Sequence, residues 1–388
     1  TPAFDLLYDD DASGIDPERL ALLVDGVDHT ARLTWGSDRA SGALLPEDAL
    51  AEGEHALEVR VFDRAGNPAV ASPHTFHVDT VPPTAQVEAP ADGSYVGSAT
   101  PFVRVAYEDA GEEASGVEPS SLVLEVDGAD RTADLAASES FAEGTLQTTL
   151  ADGPHTVVVR VADRAGHVAT ATATFSVDTA PPALSDFSLE DGDWVAELDP
   201  EGRLEIRGTI QDLDPQVSLR CRVGGSEVEA EVEGHSFSCS VPLTEGGHAV
   251  EFVATDGAGN TATVTRNVNV DLTAPTLSIL EPVDGSYANV TSLTVTGTVV
   301  DRSPVQVEVQ GVAAVVTGEA FVATGLPAGD EGPLTVRAVA TDAAGNTATD
   351  EVTVTLDRVA PDIRITSPEP GAAIHGPTVM VQGTFSDT

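Results

Sequence analysis

The sequence contains no lysine. All 18 basic residues are arginine, against 64 aspartate and glutamate residues, so the formal net charge at pH 7 is −46. Nucleic acids and anionic lipid surfaces are bound through basic patches, so we expect neither as a partner of this chain. An acidic surface suits divalent cations, and it equally suits a protein that stays soluble in salty surroundings.

Long apolar runs and aromatic residues are also scarce. No run of about 18 apolar residues occurs, so the sequence predicts no membrane span in this segment. Hydrophobic residues make up 41% of the chain but aromatic residues only 4%, so we expect cores of Val, Leu, Ile and Ala. Neither a G-x-S-x-G elbow nor a phosphate-binding glycine loop is present, and we predict that the segment is not an enzyme.

One short phrase recurs four times. It reads VRVFDRAGN (59–67), VRVADRAGH (159–167), EFVATDGAGN (251–260) and RAVATDAAGN (337–346). A proline junction follows each copy, as HVDTVPP (77–83), SVDTAPP (176–182), NVDLTAP (269–275) and TLDRVAP (355–361). Order and spacing are kept throughout, which indicates tandem units of roughly 85–100 residues, the size of an immunoglobulin-type sandwich.

Within a unit the apolar period is two. Leu57, Val59 and Val61 share one face of HALEVRVFD, which predicts a half-buried strand. The glycine of D-x-A-G-N lies where a hairpin needs a positive φ, and its aspartate is placed to accept hydrogen bonds from the turn's own amides. DPERL (16–20) and EPSSL (118–122) each predict a single helical turn.

We therefore predict an all-β chain of tandem immunoglobulin-like β-sandwiches, arranged as beads on a string and joined by semi-rigid proline linkers. The first unit lacks its first strand and the fifth holds only its first two strands, so we expect a window on a longer array. The predicted boundaries are 1–80, 81–179, 180–272, 273–358 and 359–388.

The later units resemble a known family. APTLSILEPVDGSYANVTSLTVTGTVVD (274–301) and FVATGLPAGDEGPLTVRAVATDAAGNTATDEVTVTLD (321–357) resemble bacterial immunoglobulin-like tandem repeats, of the type found as domain B of glucodextranases and in surface proteins. The first two units are similar to the broader bacterial class and add an acidic insertion before SG-I/V-x-P. The resemblance implies stalks, spacers and adhesin arms, and some relatives bind calcium between domains.

The two cysteines fall in one unit. Cys221 has the strand parity of Leu219 and Val223, and Cys239 has that of Phe237 and Val241, so both thiols point into one core. A disulfide between them is expected in an oxidising compartment, and two reduced buried thiols are the alternative.

Acidic loops suggest calcium. The second strand ends in YDDDASG (8–14) and YEDAGEEASG (107–116), at the end of the sandwich where D-x-A-G-N lies; the later loops IQDLD (210–214) and VVDRS (299–303) carry fewer acids. Hard oxygen ligands suit Ca²⁺, and a solvated acidic surface is the alternative. The expected ligands are Asp9, Asp10, Asp11 and Asp63 in the first unit, and Glu108, Asp109, Glu112, Glu113 and Asp163 in the second.

A repeated histidine is interpreted as structural. His55, His155 and His248 precede the same strand, but the fourth unit has Leu334 there. A position that accepts leucine indicates packing rather than a metal ligand.

Together these patterns predict a stalk or spacer segment of a larger bacterial extracellular or cell-surface protein, related to adhesion, whose partners are other domains of the same chain. A module that binds a surface glycan or a protein receptor is one alternative. It is weakened because Trp35 and Trp194 lie at non-equivalent positions rather than on one sugar-binding platform. An accessory region of a secreted polysaccharide-acting enzyme is the other.

Overall fold

The computed structural model describes residues 3–387. Within that range the regular structure is β-strand, apart from 3-10 helices at Pro17–Arg19, Thr30–Arg32, Pro46–Asp48 and Thr132–Asp134. The chain divides into two compact units. The first runs to Pro181 and includes the loops Asp212–Gln216 and Asp256–Asn260, and the second holds Pro182–Gln211, Val217–Thr255 and the chain from Thr261 onward.

The first unit contains two sandwiches. The first sandwich has the strands β1 Ala3–Leu7, β2 Ala21–Val24, β3 Val27–Asp28, β4 Leu33–Trp35, β5 Arg39–Ala43, β6 Gly53–Phe62, β7 Pro68–Val70 and β8 His74–Val78. One sheet has the order β1-β5-β4, and the other has the order β3-β2-β6-β7 with β8 also paired to β6.

The second sandwich has a fuller strand set. Its strands are β9 Thr84–Ala89, β10 Ser94–Val96, β11 Phe102–Glu108, β12 Val117–Val126, β13 Ala129–Asp130, β14 Ala136–Ala137, β15 Phe141–Thr145, β16 Gly153–Asp163 and β17 Val168–Val177. The sheets have the orders β14-β15-β11-β9 and β10-β17-β16-β12-β13, in which β10 runs parallel to β17.

The second unit holds the strands of the third and fourth sandwiches. The third has β18 Ala183–Ser185, β19 Asp193–Val195, β20 Arg203–Gln211, β21 Ser218–Val223, β22 Ser226–Glu229, β23 Glu231–Glu233, β24 Ser236–Pro242, β25 Gly246–Thr255 and β26 Thr261–Val270. The fourth has β27 Thr276–Glu281, β28 Tyr287–Ala288, β29 Ser292–Val300, β30 Val305–Val309, β31 Val312–Ala313, β32 Val315–Thr317, β33 Ala320–Pro327, β34 Gly332–Asp342 and β35 Thr347–Leu356.

These two sandwiches repeat one topology. Their sheets have the orders β18-β20-β24-β23 and β19-β26-β25-β21-β22 in the third, and β27-β29-β33-β32 and β28-β35-β34-β30-β31 in the fourth. A two-stranded sheet of β36 (Asp362–Ser367) and β37 (Gln382–Ser386) follows. The prediction of an all-β fold of tandem immunoglobulin-like sandwiches is confirmed.

The cores are aliphatic, as the composition predicts. In the second sandwich Val157, Val159 and Val161 alternate along β16 and are all 0% exposed, and they pack against Val103 and Val105 of the facing sheet. Fully burying a valine or leucine side chain contributes roughly 1.5–3 kcal/mol, so a run of such residues on both sheets holds each sandwich together with few aromatic rings.

The recurring phrase is a hairpin turn, as predicted. It joins β16 to β17, β25 to β26 and β34 to β35. Gly166, Gly259 and Gly345 have φ of 95°, 92° and 97°, a region that glycine enters at little cost because it has no Cβ. The glycine is therefore required by the backbone of the turn.

The two predicted helical turns have different outcomes. Asp16 caps the 3-10 helix Pro17–Arg19 by accepting from the amide of Glu18 at 3.1 Å, which confirms the first. The second is wrong, because the residues of EPSSL belong to β12, with a bulge between Glu118 and Val123.

A disulfide joins the two sheets of the third sandwich. Cys221 of β21 and Cys239 of β24 are bonded in the structure, with their Cα atoms 6.6 Å apart. Both residues are buried, as their strand parity predicts. Beside the bond, the rings of Phe187 and Phe252 pack edge to face with centroids 5.0 Å apart, so this core combines a covalent crosslink with aromatic contacts.

Candidate metal centres

Each D-x-A-G-N turn positions a carboxylate. In the third sandwich the amide of Asn260 donates to Oδ1 of Asp256 at 2.7 Å, and the amide of Gly259 donates to the Asp256 carbonyl at 3.3 Å. The fourth sandwich repeats the first contact between Asn346 and Asp342 at 2.8 Å. The turn therefore fixes the orientation of its aspartate through local hydrogen bonds, as the sequence predicts.

The asparagine side chain reaches beyond the turn. Nδ2 of Asn260 donates to Oδ2 of Asp256 at 2.9 Å and to the carbonyl of Asp178 at 2.8 Å. In the same way, Nδ2 of Asn346 donates to Oδ2 of Asp342 and to the carbonyl of Asp271, both at 2.8 Å. The amide thus holds the aspartate of the preceding proline linker beside the aspartate of the turn.

Three clusters of potential metal ligands result. Each combines the linker aspartate with the turn aspartate, and the third ligand comes from the loop after the second strand or from the turn itself. In every cluster one ligand atom from each residue lies within 4.8 Å of the others. The clusters are Asp79–Asp163–His167, Asp178–Asp212–Asp256 and Asp271–Asp301–Asp342.

The all-carboxylate clusters contain unsatisfied oxygens. Asp178 and Asp271 are both 0% exposed, and Oδ2 of each is buried with no hydrogen-bond donor among the residues that the structure describes. Their Oδ1 atoms accept from the amides of Ala180 and Thr273 at 3.2 and 3.3 Å. A buried carboxylate oxygen left without a donor costs about 1–3 kcal/mol or more, so these two oxygens need a cation or a proton.

Repulsion among the carboxylates of one cluster also creates a need for a cation or a proton. Carboxylate oxygens that lie within 4.8 Å of one another repel by about 3 kcal/mol or more at an effective dielectric constant of about 20. Burial, with the charges of Asp178 and Asp256 beside it, raises the pKa of Asp212 to about 6. Burial also opposes ionisation of Asp271, but hydrogen bonds from Ser303 and Thr273 lower its pKa overall.

The donor set fits a hard divalent cation. Calcium takes six to eight oxygen ligands, and aspartate carboxylates are its most frequent protein ligands together with backbone carbonyls and water. The orphaned Oδ2 atoms of Asp178 and Asp271 supply the unsatisfied charge that such an ion would neutralise. The residues present at both carboxylate clusters therefore fit Ca²⁺.

Of the nine ligands predicted from the sequence, the structure places one, Asp163, in a cluster. Glu108, Glu112 and Glu113 are exposed, and Nε2 of His77 lies 3.0 Å from Oε2 of Glu113. Asp109 is half-buried, and its Oδ2 accepts from the amide of Gly116 at 2.7 Å.

In the first sandwich two of the four predicted ligands, Asp10 and Asp63, are held by local hydrogen bonds. Asp9 and Asp11 are exposed. Oδ2 of Asp10 accepts from the amide of Ser13 at 2.8 Å, and Oδ2 of Asp63 accepts from Nδ2 of Asn67 at 2.6 Å. Calcium binding by these residues stays a prediction.

The linker aspartates Asp79, Asp178 and Asp271 are site residues that the sequence analysis did not select. Their signal was present, because each is the aspartate of the repeated V-D-T or V-D-L junction that marks the end of a unit. A proline junction predicts a linker, and nothing in the local pattern shows that its aspartate meets a turn 71–84 positions away in the chain.

The repeated histidine also has a more specific role than packing. In the first sandwich Nδ1 of His55 lies 2.5 Å from Oδ2 of Asp25, and Nε2 lies 2.8 Å from the carbonyl of Ala51. His155 repeats both contacts, at 2.6 Å to Asp127 and 2.8 Å to the carbonyl of Ala151. Since both ring nitrogens face acceptors, the geometry favours the doubly protonated imidazolium.

The acceptors raise the pKa of both histidines above the ordinary value of 6.5. For His55 the hydrogen bond to Asp25 is the largest cause and the carbonyl of Ala51 the next. For His155 burial is the largest influence and acts to lower the pKa, but Asp127 and the carbonyl of Ala151 together outweigh it. A group whose pKa rises on folding stabilises the folded state when it is protonated.

We expect the stabilisation from His55 to be complete below pH 6.5 and to be lost as the pH rises through its raised folded-state pKa. An NMR titration of the ring protons should show His55 and His155 losing their protons above pH 6.5. Asp25→Asn should bring the midpoint of His55 down while leaving that of His155 unchanged. An unchanged His55 midpoint in Asp25→Asn would show that the ion pair does not form.

Three family models match segments of the chain. Bacterial Ig-like domain models match residues 10–80 and 112–179, and the model described as glucodextranase, domain B matches residues 275–358. These matches confirm the resemblance drawn from the repeat. No curated protein matches the chain.

Several solved structures show weaker likenesses. A tetra-tandem repeat in the extending region of a large adhesion protein is 21% identical, with 89% of this chain and 92% of that structure covered and a TM-score of 0.34. The I67–I69 fragment of titin is 11% identical, covering 72% and 100%, with a TM-score of 0.41. Fibronectin(III)-like modules of CbhA from Clostridium thermocellum are 13% identical, covering 48% and 94%, with a TM-score of 0.32.

With TM-scores this low, the fold assignment comes from the sheets themselves and from the family models. The part of the chain that the structure describes contains no helix with the length and apolar character needed to cross a bilayer. Bacterial Ig-like domains are generally non-catalytic and are typical of surface or extracellular proteins. The chain is therefore a series of tandem immunoglobulin-like sandwiches, in which residues 10–80 and 112–179 match bacterial Ig-like domains and residues 275–358 match domain B of glucodextranase.

Proposed function

We propose that this segment is a structural spacer in a larger bacterial extracellular or cell-surface protein, related to adhesion. The observation that carries the proposal is the tandem repetition itself: four separate hydrophobic cores follow one another along the chain, each belonging to one sandwich. Repeated modules that each bury their own core add length without a new site in every module.

We further propose that calcium stiffens the spacer. In the second unit, Asp271 follows the last strand of the third sandwich. Asp301 follows β29 of the fourth sandwich, and Asp342 is the last residue of its β34. An ion bound by all three would tie the linker to the sandwich that follows it. The orphaned oxygen of Asp271 supports this role, since the protein itself leaves that charge unmet.

The cluster Asp178–Asp212–Asp256 has the same chemistry. All three residues lie in the first compact unit, and Oδ2 of Asp178 is buried without a donor among the described residues. Asp214 adds a second orphaned oxygen in the same loop as Asp212. We propose the same ion here, in place of the more exposed acidic positions selected from the sequence.

An accessory role in a polysaccharide-acting enzyme is the second candidate. The match of residues 275–358 with domain B of glucodextranase favours it. In that case the sandwiches would support or orient a catalytic domain, and a sugar-binding surface would be expected on one of them. The two candidates differ in whether the isolated segment binds a glycan.

Pulling the chain between its ends in a single-molecule force experiment tests the spacer. We expect the sandwiches to unfold one at a time, each of about 85 residues adding roughly 300 Å of contour length. The step of the third sandwich should be shorter under oxidising conditions, because the disulfide closes a loop with a sequence separation of 18. Reductant should restore its full length.

Two outcomes would contradict the proposal. Unfolding of the whole chain in one cooperative event would mean that the sandwiches are not independent mechanical elements. Specific binding of the isolated segment to members of a glycan array would instead favour the accessory or receptor-binding role.

A further inference from the structure

The second sandwich differs from the other three at one position of its D-x-A-G-N turn. The second sandwich has His167 where the first, third and fourth have Asn67, Asn260 and Asn346. The turn is otherwise the same: the amide of His167 donates to Oδ1 of Asp163 at 2.8 Å, as the asparagine amides do in their own turns. The substitution therefore replaces an amide by an imidazole while the backbone of the turn is kept.

The imidazole is held by one nitrogen only. Nδ1 of His167 lies 3.0 Å from Oδ2 of Asp163, whose side chain is completely buried. Without an ion, Nδ1 donates to this carboxylate. A nitrogen and an oxygen 3.0 Å apart can also ligate one metal ion, with the ring proton then carried by Nε2. Nε2 has no hydrogen-bond partner among the described residues, and about a third of the side chain is exposed to solvent.

A second buried carboxylate lies beside this ring. Asp79 offers an oxygen within 4.8 Å of ligand atoms of both Asp163 and His167. The amides of Val81 and Ser115 donate to its two oxygens at 3.0 and 2.8 Å. These two amides fix the orientation of the carboxylate beside the ring.

A further carboxylate oxygen without a hydrogen-bond donor lies in the loop that contains Ser115. Oδ1 of Asp109 is buried and has no partner among the described residues, while its Oδ2 accepts from the amide of Gly116 at 2.7 Å. The neighbouring residue Ser115 donates its amide to Asp79. The loop that holds Asp79 in place therefore also contains an unsatisfied buried carboxylate oxygen.

We propose that Asp79, Asp163 and His167 form a site for a divalent transition-metal ion of the zinc class. Imidazole nitrogen suits zinc and its neighbours in the first transition series, whereas calcium prefers oxygen ligands throughout. Zinc commonly binds histidine and aspartate together and completes its shell with water. Asp163 supplies the second ligand, because its Oδ2 lies 3.0 Å from Nδ1 of His167, and Asp79 supplies the third.

This site is chemically distinct from the two carboxylate clusters, and it does not depend on calcium binding there. Among the described residues it is the one metal-ligand cluster that contains a nitrogen donor. The repeated histidines His55 and His155 differ from it, because each has both ring nitrogens engaged. A soft site beside hard ones would let a single array respond to two classes of metal ion.

Titration of the full 388-residue chain with Co²⁺ tests the proposal, because Co²⁺ replaces Zn²⁺ and its visible absorption reports nitrogen ligation and coordination geometry. We expect one strongly absorbing Co²⁺ per chain, displaced by an equivalent amount of Zn²⁺ but not by a tenfold excess of Ca²⁺. His167→Asn should weaken Co²⁺ binding about 100-fold, since losing even an outer-shell partner of a ligand costs up to that much.

Both variants are expected to fold as the wild type does, so that a change in Co²⁺ affinity reports the loss of a ligand. Asparagine is the residue at this position in the other three turns, so His167→Asn restores a turn that the chain already forms. His74→Asn, at an exposed histidine on β8, is the matched control and should leave Co²⁺ affinity unchanged.

The result that overturns the proposal is equal Co²⁺ affinity in wild type and His167→Asn, which would assign the binding to the acidic surface at large. Displacement of Co²⁺ by stoichiometric Ca²⁺ would also overturn it, because the site would then be a hard oxygen site like the other two. Cobalt binding at His167 in a chain whose stability ignores calcium would reject the calcium-stiffened spacer and leave this inference in place.

Discussion

Replacing Cys221 and Cys239 by alanine is expected to lower the free energy of unfolding of the third sandwich by about 3 kcal/mol. The disulfide closes a loop with a sequence separation of 18. In the chain-entropy description, cutting it releases conformational freedom in the unfolded state, so the native contacts are unchanged while the unfolded state gains stability. Denaturant unfolding of the oxidised and reduced wild type measures the same difference without any substitution.

The single variants provide the control. Either substitution alone breaks the bond, so Cys221→Ala and Cys239→Ala should each cost nearly as much as the double variant. Mass spectrometry of non-reduced protein from its native compartment should find the two peptides linked. Additive costs of the single substitutions, together with two freely alkylated thiols, would mean that the cysteines are separate buried thiols.

Calcium at a hundredfold excess over its dissociation constant should raise the free energy of unfolding of the fourth sandwich by about 2.7 kcal/mol. In the proposed site the ion would bind the folded cluster Asp271–Asp301–Asp342, which the unfolded chain does not assemble. Chelation should remove the effect at constant ionic strength, which matters because plain screening by salt also stabilises a chain of charge −46.

The effect of Asp301→Asn on the stability of the fourth sandwich should change sign between chelator and calcium. In chelator the variant should be at least as stable as the wild type, because one of three mutually repelling carboxylates has lost its charge. In calcium it should be less stable, because a ligand is missing. Thermal unfolding in both media shows the crossover, and a variant that responds to calcium as the wild type does would remove Asp301 from the site.

Asp63→Asn is the matched control in the first sandwich. Asp63 occupies the same place in the turn as Asp342, and the sequence predicts it as a calcium ligand with Asp9, Asp10 and Asp11. The structure does not bring it into a cluster with them. A calcium response that is lost in Asp63→Asn but kept in Asp342→Asn would restore the sequence-based assignment and contradict the structural one.

Local rules predicted the fold well because its determinants are local. The period-two pattern of β16, the glycine of each turn and the parity of Cys221 and Cys239 all follow from the geometry of a single strand or hairpin. The prediction of a helical turn at EPSSL (118–122) was wrong for a reason that is also local. Ser121 donates to the carbonyl of Glu118 at 2.6 Å and the amide of Ser120 to its side chain at 3.2 Å, so a capping pattern is satisfied inside a bulged strand.

The candidate sites were harder to predict because they are assembled from distant segments. Asp271, Asp301 and Asp342 are separated by tens of residues, and the linker aspartate meets the turn only because the side chain of Asn346 spans both. The pairing of His55 with Asp25 was missed for a similar reason. Asp25 lies in a hairpin turn, with φ of 51°. Nothing in that hairpin shows that its carboxylate contacts His55 on β6.

The bridging asparagine also bears on how the number of repeats in such an array can change during evolution. The linker aspartate, the strand-end aspartate and the turn recur in the same order in successive repeats, and Asn260 and Asn346 make the same two contacts. Unequal recombination that duplicates or deletes a repeat with the asparagine turn therefore brings its linker next to an equivalent set of partners, whereas the second sandwich, with His167 in the turn, has a different junction. Such a change in copy number preserves the junction chemistry and needs no compensating substitution.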